Sequence, residues 1–315
     1  MAKSAPRQNP HPLAITESVP HILERLGVPA GALVNDSRKA APGAVFVAYP
    51  GESRDGRDFI PQAVAQRVDG VLWEADHFQW DPALAVPNAG VVDLRHRIGE
   101  IAAHVYGEPS RAMHMFGVTG TNGKTSVAHW IAQSLTRLGR KTAILGTVGN
   151  GFPGALTPAL NTTPDAIALQ QRLAYCRSQG ARACAMEVSS HGLAQGRVNG
   201  TAFNVAVLTN LSRDHLDYHG DMAAYAAAKR RLFFLPGLKC AVINSDDEYG
   251  RALLKGLPAG LHTLSYGLQA APQGLAQVRG NIARMDAHGL ALEISTPWGA
   301  GTLESTLFGK FNASN

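Results

Sequence analysis

Residues 115–125 read Met115-Phe116-Gly117-Val118-Thr119-Gly120-Thr121-Asn122-Gly123-Lys124-Thr125. An apolar run leads into a glycine-bounded turn, and behind it Val127, Trp130, Ile131, Leu135 and Leu138 recur at helical spacing. Strand, glycine turn and helix N-terminus in that order aim backbone N–H groups and the positive end of a helix dipole at one point, which suits phosphate oxygens. Lys124 is placed to reach terminal phosphates and the Thr125 hydroxyl to ligate Mg²⁺, so ATP or GTP is the implied ligand. The strict G-x-x-x-x-G-K-[ST] pattern fails because Val118 stands where its first glycine would fall, and the match is to the shorter G-x-x-G-K-T form. An ordinary glycine turn capping a helix is the plainer alternative; Gly-Lys-Thr at the mouth of an apolar strand argues against it.

The same rhythm extends outward. Apolar runs at 143–146, 183–188, 205–209 and 241–244 predict strands, with helical patterns over 165–178 and 222–234 among them, as a mostly parallel P-loop ATPase-like sheet requires. After Gly260 the pattern becomes strand candidates at 278–285, 290–295 and 301–308, separated by Ala287-His288-Gly289 and Pro297-Trp298-Gly299, which predicts a small antiparallel flap. Toward the N-terminus, strands at 44–49 and 70–73 flank a helical pattern over 59–68, and a helix over 91–106 is broken by Gly107-Glu108-Pro109-Ser110. The fold class is therefore α/β, with an N-terminal domain over 1–110 and a central nucleotide domain over 111–315.

A chain of 315 residues suggests two or three domains at about 100 to 200 residues each. With 45% hydrophobic and 17% charged residues it can build cores and is not disordered. Its net charge of +5 is scattered, which suits an anionic substrate but gives no dense basic block for nucleic acid or a membrane surface. Residues 1–12 lack the apolar core of a signal peptide and no run of about 18 apolar residues occurs, so a cytoplasmic protein is expected. Cys176, Cys184 and Cys240 have no metal or disulfide spacing and read as small buried hydrophobes.

Further segments follow the phosphate loop: Asn161-Thr162-Thr163-Pro164, Glu187-Val188-Ser189-Ser190-His191-Gly192-Leu193, and Asn210-Leu211-Ser212-Arg213-Asp214-His215-Leu216-Asp217-Tyr218-His219-Gly220. With Tyr225, Lys229 and the terminal Gly309-Lys310-Phe311-Asn312-Ala313-Ser314-Asn315, they closely resemble the Mur ligases, and among them the MurE type. Asp36-Ser37-Arg38, Pro42-Gly43, Phe46-Val47-Ala48 and Gly51 through Asp55-Gly56 resemble the uridine-nucleotide domain of that type, so the resemblance runs from about Asn35 to the last residue. It implies an ATP-dependent ligase of peptidoglycan precursor synthesis. ATP phosphorylates a carboxylate of UDP-N-acetylmuramoyl-L-alanyl-D-glutamate, and the amine of diaminopimelate, or of lysine, attacks the acyl phosphate to form an amide.

The resemblance also implies roles. The nucleotide falls to Gly120, Thr121, Asn122, Gly123, Lys124, Thr125 and Ser126, with Asn312 and Asn315 beside it and Asn315 on adenine. Thr125 and Glu187 take one Mg²⁺ and His215 a second, served by Lys229 after CO₂ has converted its amine to a carbamate. Only a neutral amine reacts with CO₂, so burial must lower its pKa from about 10.4. Asp221, Tyr225 and Lys229 lie at i, i+4 spacing on one helix face; by spacing alone Lys229 reads as a solvated lysine, and only the resemblance reverses that. Lys124, Glu187, His215 and Lys229 form the catalytic set. Ser37 is assigned near uracil, and Asn161, Thr162, Thr163, Ser189, Gln195 and Arg197 around the diphosphate and muramoyl groups, where a planar guanidinium suits a diphosphate. His191 reads as a structural hydrogen-bonding residue and His219 as a loop residue.

Family members continue into a third domain that carries the amino acid's site, and no segment here resembles it, so the chain as given is expected to be inactive alone; a monomer is also expected. A folylpolyglutamate-type amide ligase is a competing reading, which Asp36-Ser37-Arg38 opposes. A non-catalytic nucleotide and UDP-sugar binder is another, which intact Lys124, Glu187, His215 and Lys229 oppose.

Overall fold

The computed structural model describes residues 17–268 and 276–314. The chain divides between Leu94 and Arg95 into two compact units.

In the first unit the order is α1 (Val19–Leu26), β1 (Ala32–Val34), β2 (Ala44–Ala48), α2 (Ile60–Ala65), β3 (Gly70–Glu74) and β4 (Asn88–Val91), with α3 (Leu94–Val105) starting at its end. The strands form an all-parallel sheet in the order β1-β2-β3-β4. All five residues of β2 are buried, as expected of a strand covered on both faces. Phe46, Ile60, Val68 and Val71 form the core on one face. Ser37 and Gly56 open one-turn 3₁₀ helices whose first turns are closed by the Asp36 and Asp55 carboxylates, each accepting from the N–H two residues on.

Val91, expected to open a helix, instead ends the edge strand Asn88–Val91, paired with β3. Its composition carries little strand signal, so pairing decides its state. The helix starts three residues later because the buried Glu74 carboxylate accepts the N–H groups of Asp93 and Leu94, two donors a helix N-terminus leaves open.

The second unit contains the rest of α3, then β5 (His114–Thr119), α4 (Lys124–Arg137), β6 (Thr142–Leu145), β7 (Asn150–Phe152), β8 (Ala155–Thr157), α5 (Ala166–Ser178), β9 (Ala183–Glu187) and α6 (Ser190–Ala194). After these come β10 (Val205–Leu208), α7 (Leu216–His219), α8 (Met222–Arg230), β11 (Cys240–Asn244), α9 (Glu248–Lys255), β12 (His262–Gly267), β13 (Ala276–Asp286), β14 (Gly289–Thr296), β15 (Gly299–Ser305) and α10 (Lys310–Ser314). Among the described residues they make one sheet in the order β15-β14-β13-β12-β11-β10-β5-β9-β6-β7-β8. Its centre is parallel and both margins are antiparallel, so the expected flap exists and continues the main sheet through the parallel pair β12–β13.

The chain leaves β5 toward β6 on one side and later returns to β10 on its other side. Such a reversal opens a crevice at the carboxyl ends of the strands, and Thr119, Glu187 and Leu208 all end there. Cys176, Cys184 and Cys240 are free thiols in α5, β9 and β11, the first two buried. Among the described residues no helix is long and apolar enough to cross a membrane.

The break at Gly107–Ser110 lies inside the second unit, because α3 is held there by close backbone approach. A Cβ on Gly99 would collide with the Asn199 carbonyl, and one on Gly200 with the Gly99 carbonyl. Asn199 Nδ2 also donates to the His96 carbonyl at 2.8 Å. Gly99→Ala should therefore force two backbones apart and cost about 1 to 3 kcal/mol, the usual range for overpacking. Urea denaturation of the variant should give a lowered midpoint at unchanged slope.

Candidate active site

The turn after β5 has the backbone that its sequence implies. Gly120 and Gly123 adopt φ of 145° and 85°, and Gly123 is the N-cap of α4, so the first N–H groups of the helix face the crevice. Gly120 is required sterically, since a Cβ there would collide with the Thr209 hydroxyl. The segment after β10 clamps the loop from the other side. Thr209 Oγ1 donates to the Asn122 carbonyl at 2.6 Å, Asn210 Nδ2 donates to the same carbonyl at 3.1 Å, and Asn122 N–H donates to Asn210 Oδ1 at 3.1 Å. Thr121 N–H donates to the Asn210 carbonyl at 2.9 Å. Ser126 lies half-buried in the first turn of α4.

Two lysines converge on this loop. Lys124 Nζ donates to the carbonyls of Gly120 at 3.0 Å and Thr121 at 2.9 Å, and Lys229 Nζ, from α8, donates to the Gly120 carbonyl at 2.8 Å. Lys229 is 1% exposed, with its ammonium 4.5 Å from the Tyr225 ring centre. Burial first and the Lys124 charge second push its pKa down to about 7, against an opposing pull from Asp214. Burial also lowers Lys124, which Glu187 and Asp214 partly offset. The solvated lysine that spacing alone suggested is thus replaced by a buried one. Only folding reveals this, because α8 packs the face bearing Tyr225, Ala228 and Lys229 inward.

Glu187 closes β9 and is 1% exposed. Its Oε2 accepts from Thr125 Oγ1 at 2.9 Å and Thr147 Oγ1 at 3.2 Å, and its Oε1 from Thr147 N–H at 2.8 Å. A Cβ on Gly146 would collide with this carboxylate, so the turn after β6 is shaped around it. A buried carboxylate and the Thr125 hydroxyl side by side are hard oxygen donors, a set that fits Mg²⁺. His215 is exposed, sits at φ 51° and pairs with Asp214 at 3.4 Å. Its ring lies 4.8 Å from His191 and 6.1 Å from Tyr225. A bare Lys229 ammonium would repel a cation beside His215, whereas a carbamate there would be an anion, so the residues fit a second Mg²⁺ only in the carbamylated form.

Thr163 Oγ1 donates to the Glu187 carbonyl at 3.0 Å and accepts from Ser189 N–H at 2.9 Å, while Ser189 Oγ accepts from Gly192 N–H as the N-cap of α6. Thr162 and Thr147 hydroxyls are 2.9 Å apart. Arg197 donates to Gln195 Oε1 at 2.7 Å and to the Thr163 carbonyl at 2.8 Å, and Gln195 Nε2 to the Tyr218 phenol at 3.2 Å. Thr163, Ser189, Gln195 and Arg197 are therefore one hydrogen-bonded chain, which Thr162 joins through Thr147 and Glu187, with Asn161 exposed at its edge.

Other expected residues lie elsewhere. Ser37 belongs to the first unit, where its buried hydroxyl donates to Gln62 Oε1 at 2.9 Å. Asn312, in α10, donates to the Phe308 carbonyl at 2.7 Å and lines a cavity of about 500 Å³ with Trp130, Tyr266, Leu290, Leu292 and Ile294; none of residues 120–125 lines it. Asn315 lies outside the described residues. His219 ends the short helix α7 rather than lying in a loop. It packs 5.5 Å from His191 and 5.3 Å from Tyr225, and its enclosed Nε2 has no hydrogen-bond partner among the described residues. Sequence reasoning missed Thr147, Thr209 and Asp247, whose carboxylate accepts Leu211 N–H at 3.0 Å. The usable signal was position, since Thr147 directly follows one predicted strand and Thr209 ends another at the crevice.

Residues 118–315 match the Mur ligase middle domain, and residues 32–106 match a Mur ligase family catalytic domain. A UDP-N-acetylmuramoyl-L-alanyl-D-glutamate--2,6-diaminopimelate ligase of Chromobacterium violaceum is 51% identical over 96% of this chain and 61% of its own length. A solved structure of a ligase of the same name is 35% identical with a TM-score of 0.78, covering 91% of this chain and 57% of that one. A MurF ligase from Thermotoga maritima, solved in complex with ADP, is 19% identical with a TM-score of 0.60 over 90% of this chain and 60% of its own, a likeness of fold. The chain spans about three-fifths of the length of these relatives.

The buried Lys229 has a pH signature. Its pKa falls from 10.5 to about 7 on folding, so between those values the unfolded chain binds more protons and stability rises with pH. Below pH 7 the cost of burying the charge is complete and constant. In CO₂-free buffer, the stability of wild type relative to Lys229→Met should climb by about 3.5 kcal/mol from pH 7 to pH 10. Urea titrations at each pH read this, and a flat difference would mean an ordinary lysine.

Proposed function

This chain belongs to the Mur ligase family, and from that premise we propose that it carries the ATP-binding and UDP-substrate-binding parts of a ligase joining 2,6-diaminopimelate to UDP-N-acetylmuramoyl-L-alanyl-D-glutamate. The observation that carries the reading is the convergence at one sheet edge of the phosphate loop, Lys124, the Thr125–Glu187 pair and Lys229. ATP transfers its terminal phosphoryl group to the substrate carboxylate, the amine of the amino acid attacks the acyl phosphate, and phosphate leaves. Two anions must approach, so positive charge and oriented dipoles supply most of what the protein contributes.

In this reading the loop N–H groups and Lys124 hold the phosphates, and Lys124 leaves the carbonyls of Gly120 and Thr121 to do so. Thr125 and Glu187 would hold one Mg²⁺, and His215 with carbamylated Lys229 a second; the ions would neutralise phosphate charge during transfer. The carbamate forms when the neutral amine attacks CO₂ and loses a proton, and a pKa of about 7 leaves much of Lys229 neutral at physiological pH. Ser189, Thr162, Thr163, Gln195 and Arg197, with Asn161, would meet the diphosphate and muramoyl groups, and Ser37 the uracil end. Asn312 and Asn315 remain assigned to the nucleotide. An ATP-consuming step on a UDP-linked precursor belongs to the cytoplasm.

Calorimetry with each ligand separately tests the division of labour. Lys124→Ala should weaken ATP binding and leave binding of the UDP-muramoyl dipeptide nearly unchanged. Ser37→Ala should do the reverse, by about 0.5 to 1.5 kcal/mol for one neutral hydrogen bond. Equal losses for both ligands from Lys124→Ala in a folded variant would contradict the assignment. Crystals grown at neutral pH with Mg²⁺ should show three extra atoms on Lys229 Nζ, and density for a bare ammonium at full metal occupancy would remove the carbamate.

A further inference from the structure

Tyr225 is fully buried on α8 and touches three groups of the proposed site. Its phenol oxygen lies 3.2 Å from Thr121 Oγ1. The Thr121 hydroxyl meanwhile donates to the Ser212 carbonyl at 3.1 Å and accepts from the Ser212 N–H at 2.9 Å. A hydroxyl has one hydrogen and two lone pairs. The hydrogen goes to the Ser212 carbonyl, which can only accept, and one lone pair to the Ser212 N–H. The second lone pair is left for Tyr225, whose O–H is thereby the donor.

The ring has equally definite neighbours. The Lys229 ammonium stands 4.5 Å from its centre, the His219 ring 5.3 Å and the His215 ring 6.1 Å. Residues 209–215 have no helix or strand of their own, and beyond the backbone bonds of Thr209 and Asn210 to the phosphate loop and its strand they are held by side-chain bonds such as these. We propose that Tyr225 is a positioning residue for the nucleotide site: its O–H locks Thr121 of the phosphate loop onto Ser212, and its ring sets Lys229 and the His215 segment against that loop. Phenylalanine keeps the ring and loses the lock; leucine loses both. The inference rests on reading residues 120–125 as a nucleotide site.

The test titrates the chain with Mg·ATP by calorimetry. Tyr225→Phe should weaken binding about three- to ten-fold, the share of one hydrogen bond, and Tyr225→Leu further. Thr121→Val, which also removes the two bonds of that hydroxyl to Ser212, should lose at least as large a factor, and Tyr225→Phe combined with Thr121→Val should be little worse than Thr121→Val alone, because the Tyr225 bond is then already gone. Exchange of the Ser212 amide hydrogen should quicken in Tyr225→Phe. If that variant does not fold, Thr121→Val is read in the same two ways, and wild-type affinity with unchanged Ser212 exchange would overturn the proposal. Wild-type affinity in a folded Tyr225→Phe, or losses that multiply in the double variant, would overturn it too. No binding by the wild-type chain would instead remove the nucleotide-site reading and this inference with it.

Discussion

The carbonyl of Gly120 accepts from two lysine ammonium groups at once, and most of the site is arranged around that crowding. Two like charges on one acceptor in a largely dry place are unfavourable unless something lowers the charge or draws one cation away. Burial and the neighbouring charge answer the first need at Lys229, whose amine is pushed down to about 7. In the proposed function a polyphosphate would answer the second at Lys124. The glycine has a separate cause, because the Thr209 hydroxyl occupies the space where any side chain at 120 would begin.

Glu187 has the opposite difficulty. A carboxylate that is 1% exposed must find donors or lose its charge, and it finds two hydroxyls and one backbone N–H, from Thr125 and Thr147. Those donors come from two different turns at the carboxyl edge of the sheet, so the carboxylate joins the phosphate loop to the turn after β6. Its backbone carbonyl, through Thr163, continues to Ser189 and then to Arg197 and Gln195. The nucleotide residues and the UDP-substrate residues of the second unit are thus joined by hydrogen bonds through Glu187.

Local sequence was enough for elements with strong periodicity or strong punctuation. β2, β5, β9, β10 and α5 fall within a residue or so of their predicted limits, and the glycines of the phosphate loop adopt the backbone that their spacing implied. Elements that exist only because a neighbour pairs with them were not legible. Asn88–Val91 is a strand by virtue of β3, and α3 starts where Glu74 caps it. The short α7 that carries His219 is bounded by Asp214, His215 and Gly220, residues that signal a loop when read singly.

From the chain alone came the α/β class, the phosphate loop, the residue types of the site and the family, because these rest on spacing along one strand–turn–helix unit and on a few ordered motifs. The fold decided which of those residues meet. It placed Lys124 and Lys229 on one carbonyl across 105 positions of chain, brought Thr147 to Glu187, and left Asn312 beside an apolar cavity instead of the loop. The physical reason is that burial and electrostatic coupling depend on what packs against a side chain from other strands and helices, and no local pattern encodes that.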